Sequence, residues 1–284
     1  MVKENANAKI NLFLDVVSRR EDGFHNIKSI MQSVSLCDTL FVSASRADKT
    51  EILINADSVD LPTDKNNLIF ASAAKYLEYF GINAEVEIKL EKRIPIGAGL
   101  GGGSADAAAT LRAMNKIFGL ATKGELLSLA TQIGSDVPFC LVGGTALCEG
   151  RGEIITPIAF GGELHLVIAI GKDRVSTPHA YRALDELCNF EFTPDQRGDL
   201  LAGEMSRGEI SFGNLYNIFE RVTDLPEISK IKEILTKSGA ECSLMSGSGP
   251  SIFGVFADRQ SAENAKNRLV FEGFTAFYAN GVTV

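Results

Sequence analysis

The stretch that decides the fold is PIGAGLGGGSADAA, residues 95–108. It follows a predicted strand at residues 85–90 and leads into a predicted helix that begins near Ser104. Glycine carries a high entropic cost in an ordinary turn, so such a run is favoured where a ligand must come close to the backbone. Successive N–H groups and the positive end of the following helix would then face phosphate oxygens. The run therefore predicts a loop that binds a nucleotide triphosphate, with a plain structural turn as the alternative.

Two better-known phosphate loops fit this stretch less well. A Walker A loop requires a Lys-Ser or Lys-Thr pair after its glycines, and none follows here. The dinucleotide pattern GxGxxG is present at Gly97, Gly99 and Gly102, between a predicted strand and a predicted helix. It lies deep in the chain, however, and the next segment is another predicted helix rather than a strand that ends in an acid. A dinucleotide-dependent oxidoreductase therefore stays open only as a rival interpretation.

The composition restricts the partners and the compartment. The chain of 284 residues has a formal net charge of −8, which disfavours binding to nucleic acid or to an anionic membrane surface. Its five cysteines form no CxxC pair, so a zinc site and a disulfide framework are disfavoured. The N-terminal MVKENANAKINLF lacks the apolar segment of a signal peptide, and no apolar run approaches the ~20 residues of a membrane span. We expect a cytoplasmic protein that binds small molecules, with neither nucleic acid nor a membrane as partner.

The pattern of predicted elements changes near the middle of the chain. The first part mixes strands with amphipathic helices. Its strands are expected at residues 8–16, 39–43, 51–55 and 85–90. Its helices are expected at residues 66–80, at a segment that begins near Ser104, and at residues 124–133. The second part is expected to run strand (163–171), helix (227–238), strands (241–245 and 251–257), helix (261–272) and strand (275–280). That order is close to β-α-β-β-α-β, the split ferredoxin-like arrangement. The sequence thus predicts an α+β protein with domains at residues 1–158 and 159–284.

Three motifs together resemble one superfamily. PIGAGLGGGSADAA resembles the central motif of the GHMP kinases, and AKINLFL (residues 8–14) and MSGSGPSIFG (residues 245–254) match the same superfamily. REDGFHNI, MQSVSL and GSDVPF resemble the branch that phosphorylates cytidine-diphosphate methylerythritol in the non-mevalonate isoprenoid pathway. The match covers nearly the whole chain in the right order. It implies a two-domain α+β GHMP kinase fold, ATP and Mg²⁺ as cofactors, and phosphoryl transfer to a substrate hydroxyl.

The resemblance also assigns two catalytic residues. Lys9 lies beside Asn11 on the polar face of the first predicted strand, where a lysine is ordinarily solvated. Asp136, in GSDVPF, has the ordinary interpretation of a turn aspartate. The resemblance implies that Asp136 acts as the base on the alcohol, with Lys9 as its partner offsetting negative charge near the transferred phosphate.

The substrate and nucleotide contacts follow from the same resemblance. Phe24 and His25 would hold the cytosine base, although the family usually has Tyr where this chain has Phe24. Tyr181 is a candidate for the other face of the base. Asn11 is expected to contact the substrate. The turn SGSGP would close over the active site from the second domain. The residues expected around ATP are Pro95, Ile96, Gly97, Ala98, Gly99, Leu100, Gly101, Gly102, Gly103, Ser104 and Ala105.

Several interpretations stay open at this stage. Another GHMP kinase, such as a homoserine or phosphomevalonate kinase, and a nucleotide-binding regulator without activity are the main rivals. Protein ligands of the metal are unassigned, since Ser104 could be a ligand or simply the N-cap of its helix. The oligomeric state is not indicated.

Overall fold

The computed structural model describes residues 1–58 and 61–283. Its strands are β1 (Val2–Arg19), β2 (His25–Arg46), β3 (Glu51–Ala56), β4 (Ala84–Glu91), β5 (Thr145–Gly150), β6 (Ile154–Ile158), β7 (His165–Ile170), β8 (Tyr216–Asn217), β9 (Cys242–Met245), β10 (Ile252–Phe256) and β11 (Thr275–Asn280). Its α-helices are α1 (Leu68–Tyr79), α2 (Gly102–Phe118), α3 (Lys123–Ile133), α4 (Val137–Val142), α5 (Thr177–Leu187), α6 (Arg197–Met205), α7 (Pro226–Lys237) and α8 (Arg259–Phe271).

The chain forms two compact units that interleave along the sequence. Unit 1 comprises Met1–Ala8, Cys37–Ile96 and Gly101–Val142, and unit 2 comprises Lys9–Leu36, Gly97–Leu100 and Gly143–Val284. Strands β1 and β2 and the glycine loop therefore each contribute residues to both units. The single domain boundary near residue 158 stays a prediction.

Unit 1 packs helices on a small sheet. Residues 39–46 of β2 pair antiparallel with β4, and β3 pairs parallel with β4. Alanines at positions 105, 107–109 and 113 of α2 are buried on more than one side of the helix, and their small side chains let α2 pack closely within this core. Tyr76 of α1 is fully buried, and its hydroxyl donates to Oδ1 of Asn115 at 3.0 Å. The start of α2 is thus fixed by a dense core behind it.

Unit 2 confirms the predicted ferredoxin-like order. Its four-stranded antiparallel sheet has the order β11-β7-β10-β9, so the first strand in sequence lies between the fourth and the third. Helices α7 and α8 supply apolar side chains to the core of this unit. In the same unit, residues 27–32 of β2 pair with β5, which pairs with β6, and β1 pairs parallel with β8.

Several elements differ from the sequence-based expectation. β1 extends six residues before and three residues after the predicted 8–16, and the short elements β5, β6 and α4 were not predicted. The first strand has no solvated polar face, because Lys9 and Asn11 are buried like their apolar neighbours. Alternation of polar and apolar residues normally indicates one wet face; here the polar side chains are buried and hydrogen-bonded instead. Among the described residues, no helix is long and apolar enough to cross a membrane.

Candidate active site

The first part of the site is a hydrogen-bonded row of side chains on β1. Lys9 and Asn11 are only 5% and 1% exposed, and Nζ of Lys9 donates to Oδ1 of Asn11 at 2.9 Å. Nδ2 of Asn11 donates to Oγ of Ser29 at 2.8 Å, and that hydroxyl donates to the carbonyl oxygen of Phe13 at 2.7 Å. Burying polar groups is costly unless they are hydrogen-bonded. The row therefore holds the Lys9 ammonium in a defined place.

The turn at residues 246–250 joins this row within unit 2. The backbone N–H of Gly247 donates to Oδ1 of Asn11 at 2.9 Å, so that oxygen accepts two hydrogen bonds. Nδ2 of Asn217 donates to the carbonyl oxygens of Met245 and Gly247 at 2.7 and 2.8 Å. The turn is thus fixed by buried amides on two sides.

The first half of the glycine loop lies against the same turn. Gly99 has φ +78°, and a Cβ placed there would come within 2.5 Å of the carbonyl oxygen of Ser246. Oγ of Ser246 donates to the carbonyl oxygen of Gly99 at 3.2 Å, and the N–H of Lys9 donates to the carbonyl oxygen of Leu100 at 2.9 Å. Only glycine fits at position 99, because both the backbone conformation and the close approach exclude a side chain.

The second half of the loop is the start of α2 in unit 1. Gly101 has φ 67° and ψ 19° and is the N-cap, with no side-chain hydrogen bond to the helix. The carbonyl oxygen of Gly101 accepts from the N–H of Ala105 at 2.8 Å, so the helix begins at Gly102. The expectation that Ser104 is the N-cap was wrong: the left-handed Gly101 caps the helix three residues earlier, and Ser104 is the third residue of the helix. The first N–H groups of an α-helix lack intrahelical acceptors, which suits an anion at this end.

A buried ionic cluster supports the segment that precedes the loop. The Nζ of Lys92 lies between Oδ2 of Asp38 and Oδ2 of Asp106, the latter at 3.0 Å, and all three side chains are almost fully buried. Oδ1 of Asp38 also accepts from the N–H groups of Arg93 and Ile94, at 2.5 and 2.8 Å. Burial raises the pKa of Asp106 to about 7; Lys92 opposes the rise and the charge of Asp38 adds to it. The cluster fixes the backbone directly before PIGAG.

Asp136 lies immediately before α4. Its carbonyl oxygen accepts from the N–H of Cys140 at 3.0 Å, so the predicted turn is in fact the beginning of a short helix. Its side chain is half-buried. Asp136 belongs to unit 1 and Lys9 to unit 2.

A second group of predicted residues meets around His25. The rings of His25 and Tyr181 are stacked, with centroids 4.8 Å apart and an interplanar angle of 23°, and Phe192 meets the histidine edge-on at 5.8 Å. Nε2 of His25 lies 2.7 Å from Oδ1 of Asp185, whose other oxygen lies 3.7 Å from Nε of Arg19. We call these five residues the His25 cluster. The structure thus brings two predicted substrate residues together and adds an aspartate.

Phe24 occupies the turn between β1 and β2. The preceding Gly23 has φ +83°, and the Phe24 ring is 54% exposed, with the guanidinium of Arg151 5.2 Å from its centroid. An exposed aromatic ring next to a cation offers a face on which a flat, electron-rich ligand can stack.

Unit 2 also contains a pocket of about 470 Å³ that shares Phe192 with the His25 cluster. Its lining includes Asp15, Glu191 and Asp195 as well as Arg221. Burial raises the pKa of Asp15, while the N–H groups of Asp195 and Val16 oppose the rise. Because carboxylates outnumber the arginine, the lining disfavours a phosphate, and we assign no phosphate to it.

The sequence did not reveal six important residues. Ser29 and Asp185 contact the predicted residues Asn11 and His25. The other four support the glycine loop and the 246–250 turn: Asp38, Lys92, Asp106 and Asn217. Only Asp185 had a signal, since it follows Tyr181 by four residues on α5 and so shares its face of the helix. The others are placed by tertiary packing alone.

Comparison with known proteins defines the class. The family model described as GHMP kinases N terminal domain matches residues 67–144, and the model described as GHMP kinases C terminal matches residues 208–274. The chain therefore belongs to the GHMP kinases. This membership confirms the resemblance and the fold expected from the sequence. The protein is accordingly an ATP-dependent kinase.

Two curated relatives and one solved structure carry the same enzyme name. A 4-diphosphocytidyl-2-C-methyl-D-erythritol kinase of Caldicellulosiruptor saccharolyticus is 43% identical over 93% of this chain and 91% of its own length. One of Clostridium beijerinckii is 40% identical over 92% of this chain and 93% of its own length. A crystal structure of 4-(cytidine 5'-diphospho)-2C-methyl-D-erythritol kinase superposes with a TM-score of 0.83 at 34% identity, covering 99% of this chain and all of that one.

Proposed function

We propose that this protein transfers the γ-phosphoryl group of ATP to a hydroxyl of 4-diphosphocytidyl-2-C-methyl-D-erythritol, in the non-mevalonate route to isoprenoid precursors. The similarity to kinases of that name over more than nine-tenths of the chain supports the substrate. The observation that carries the proposal is that one chain combines a bare-backbone loop at a helix start with the aromatic–histidine pair of His25 and Tyr181. A cytoplasmic location belongs to the same proposal, since both substrates are soluble nucleotides.

Asp136 and Lys9 are the proposed catalytic residues. Phosphoryl transfer passes through a loose transition state, so the protein mainly positions the alcohol and stabilises charge. The Asp136 carboxylate orients the hydroxyl and accepts its proton. The Lys9 ammonium, held by Asn11, stabilises negative charge on the transferred group.

Residues 95–105 are the proposed ATP site. Gly101 leaves the N-terminal N–H groups of α2 without a side chain above them, and no acidic residue lies in the first turn of the helix. An anion there meets backbone donors and the positive end of a helix of 17 residues.

Mg²⁺ is proposed to accompany ATP. Among residues 1–58 and 61–283, no group of three or more His, Cys, Asp or Glu side chains could hold a metal by itself. Mg²⁺ in kinases is ordinarily held by one or two protein oxygens together with substrate phosphates. The hydroxyl of Ser104, in the first turn of α2, is an oxygen of the right kind and fits this role. The ion would neutralise charge on the triphosphate.

The cytidine end of the substrate is assigned to unit 2. Phe24 and Tyr181 supply stacking faces, His25 hydrogen-bonds the edge of the base, and Asn11 contacts the substrate. Base–aromatic stacking of this kind is worth ~1–3 kcal/mol per base.

A coupled assay of ADP release tests the function. The purified protein is given ATP with the cytidine-diphosphate substrate, homoserine, mevalonate or phosphomevalonate in parallel reactions. We expect kcat/KM for the cytidine substrate to exceed the others by at least ~10², because the base contacts are lost with the other alcohols. Preferred turnover of one of the other three would refute the proposed substrate, and no turnover of any would favour a regulator without activity.

A further inference from the structure

The position of Asp185 fixes how it meets His25. Asp185 and Tyr181 are four residues apart on α5 and therefore lie on one face of that helix. From this face Tyr181 stacks on the imidazole ring of His25, and Asp185 reaches its Nε2 at 2.7 Å. Asp185 is only 6% exposed, so this contact is not a surface ion pair. Its other partner, Arg19, lies farther away at 3.7 Å and is about half exposed.

This contact determines which nitrogen of His25 carries the proton. A carboxylate oxygen only accepts hydrogen bonds, so Nε2 of the neutral ring must be the N–H donor. The second nitrogen, Nδ1, then has a lone pair and acts as an acceptor. Among the residues that the structure describes, Nδ1 makes no hydrogen bond, while Tyr181 covers a ring face and Phe192 meets the ring edge-on. Nδ1 is therefore the polar atom of the ring that is left for a ligand.

Cytosine and uracil differ at the position that such an acceptor would read. Cytosine presents an exocyclic N4 amine, which donates, whereas uracil presents the O4 oxygen, which only accepts. A lone pair at Nδ1 pairs with the amine and opposes the oxygen. Sites built to hydrogen-bond one such group discriminate strongly against a ligand that leaves them unpaired.

We propose that Asp185 is a positioning residue that sets base specificity: by accepting the Nε2 proton of His25, it keeps Nδ1 as an acceptor that selects cytosine over uracil. The inference rests on the proposed function in one respect, namely that the ligand near His25 is a nucleoside base. The competing interpretation is that Asp185 merely packs the histidine ring, in which case its loss weakens all bases alike.

The test compares binding of cytidine 5′-monophosphate and uridine 5′-monophosphate to the full chain. We expect the parent to bind the cytidine nucleotide at least ~10-fold more tightly, and Asp185→Asn to reduce that ratio to within ~3-fold. Asparagine keeps the shape of aspartate, but it can also donate to Nε2 and so permits the other tautomer. Asp199→Asn is the matched control, because Asp199 is a carboxylate of the same unit that pairs with Lys28 at 2.8 Å; its ratio should equal that of the parent.

A spectroscopic arm reads the tautomer of His25 directly in the parent protein. In the parent labelled with ¹⁵N-histidine, Nε2 of His25 should show the protonated resonance and Nδ1 the unprotonated one, with the assignment made by His25→Gln. Protonation of Nδ1, or an equal loss of both nucleotides in Asp185→Asn, would overturn the inference. If the parent selects cytidine through Asp185 but phosphorylates no cytidine substrate, the inference stands and the proposed function fails.

Discussion

Asp106 is the most strongly perturbed carboxyl group near the glycine loop. It shares the Lys92 ammonium with Asp38, and its Oδ1 is buried without a hydrogen-bond partner among the described residues. Burial raises its pKa from 3.8 to about 7, with Lys92 opposing the rise and Asp38 adding to it. The native state therefore holds a proton on Asp106 at pH values where the unfolded chain has lost it.

The sign of the effect on stability follows from this difference. A raised carboxyl pKa contributes stability that is fully present below the unfolded value of 3.8 and is lost as the pH rises through about 7. Each tenfold difference in proton affinity corresponds to about 1.4 kcal/mol. From pH 5 to pH 8 the Asp106 contribution should fall by roughly 3 kcal/mol. The loss is complete by about pH 8, one unit above that pKa.

The substitution Asp106→Asn isolates this contribution. Asparagine resembles the protonated acid, and Lys92 keeps Asp38 as its partner. In urea denaturation we expect the stability of the variant relative to the parent to increase by about 3 kcal/mol between pH 5 and pH 8, because only the parent titrates at this position. Asp199→Asn, at an exposed carboxylate, should show no such pH-dependent difference. If Asp106→Asn is equally destabilised at both pH values, Asp106 is ionised in the native state at pH 5 and the reasoning is wrong.

Three further outcomes test the proposed site. Asp136→Asn should lower kcat by ~10²–10⁴ with little change in ATP affinity; Lys9→Ala should lose a comparable amount, and multiplicative losses in the double variant would show independent action. Gly101→Ala and Gly119→Ala each place a side chain at a left-handed position, at the start and at the end of α2. Each variant should therefore lose ~1–2 kcal/mol of stability. Calorimetry should find weaker ATP binding only for Gly101→Ala. Phe24→Ala should raise KM for the cytidine substrate much more than KM for ATP, since one stacking face is lost; equal increases would remove Phe24 from the base site.

The regular elements of the second half of the chain were predictable because their signals are local. The pattern of residues 163–171 and 227–280 predicts the four strands and two helices that form the ferredoxin-like sheet, and β11 occupies the predicted residues. Short elements such as α4 were missed, since its six residues are too few to show a period. The start of α2 was misplaced because the sequence does not show that Gly101 has a positive φ.

The partners of the functional residues were not predictable, because they lie far away along the chain. His25 and Asp185 are 160 residues apart, and Asn11 and Gly247 are 236 apart. The spacing of Tyr181 and Asp185 places these two on one face of α5, but no local period encodes the contact of either with His25. The resemblance to a family could name His25 and Asn11, but not the groups that hold them.

Asn11 shows how these distant contacts change the interpretation of a motif residue. Its Oδ1 accepts from Nζ of Lys9 and from the N–H of Gly247, which occupies both lone pairs of an amide oxygen, and its Nδ2 donates one hydrogen to Ser29. A single Nδ2 hydrogen is left for a substrate. Removing the Asn11 amide would therefore leave the Lys9 ammonium and the 246–250 turn without their common acceptor. Loss of this amide would disturb the position of the proposed catalytic lysine as well as any substrate contact. In this arrangement the residue that connects strand β1 to the turn also orients the charge on which phosphoryl transfer is proposed to depend.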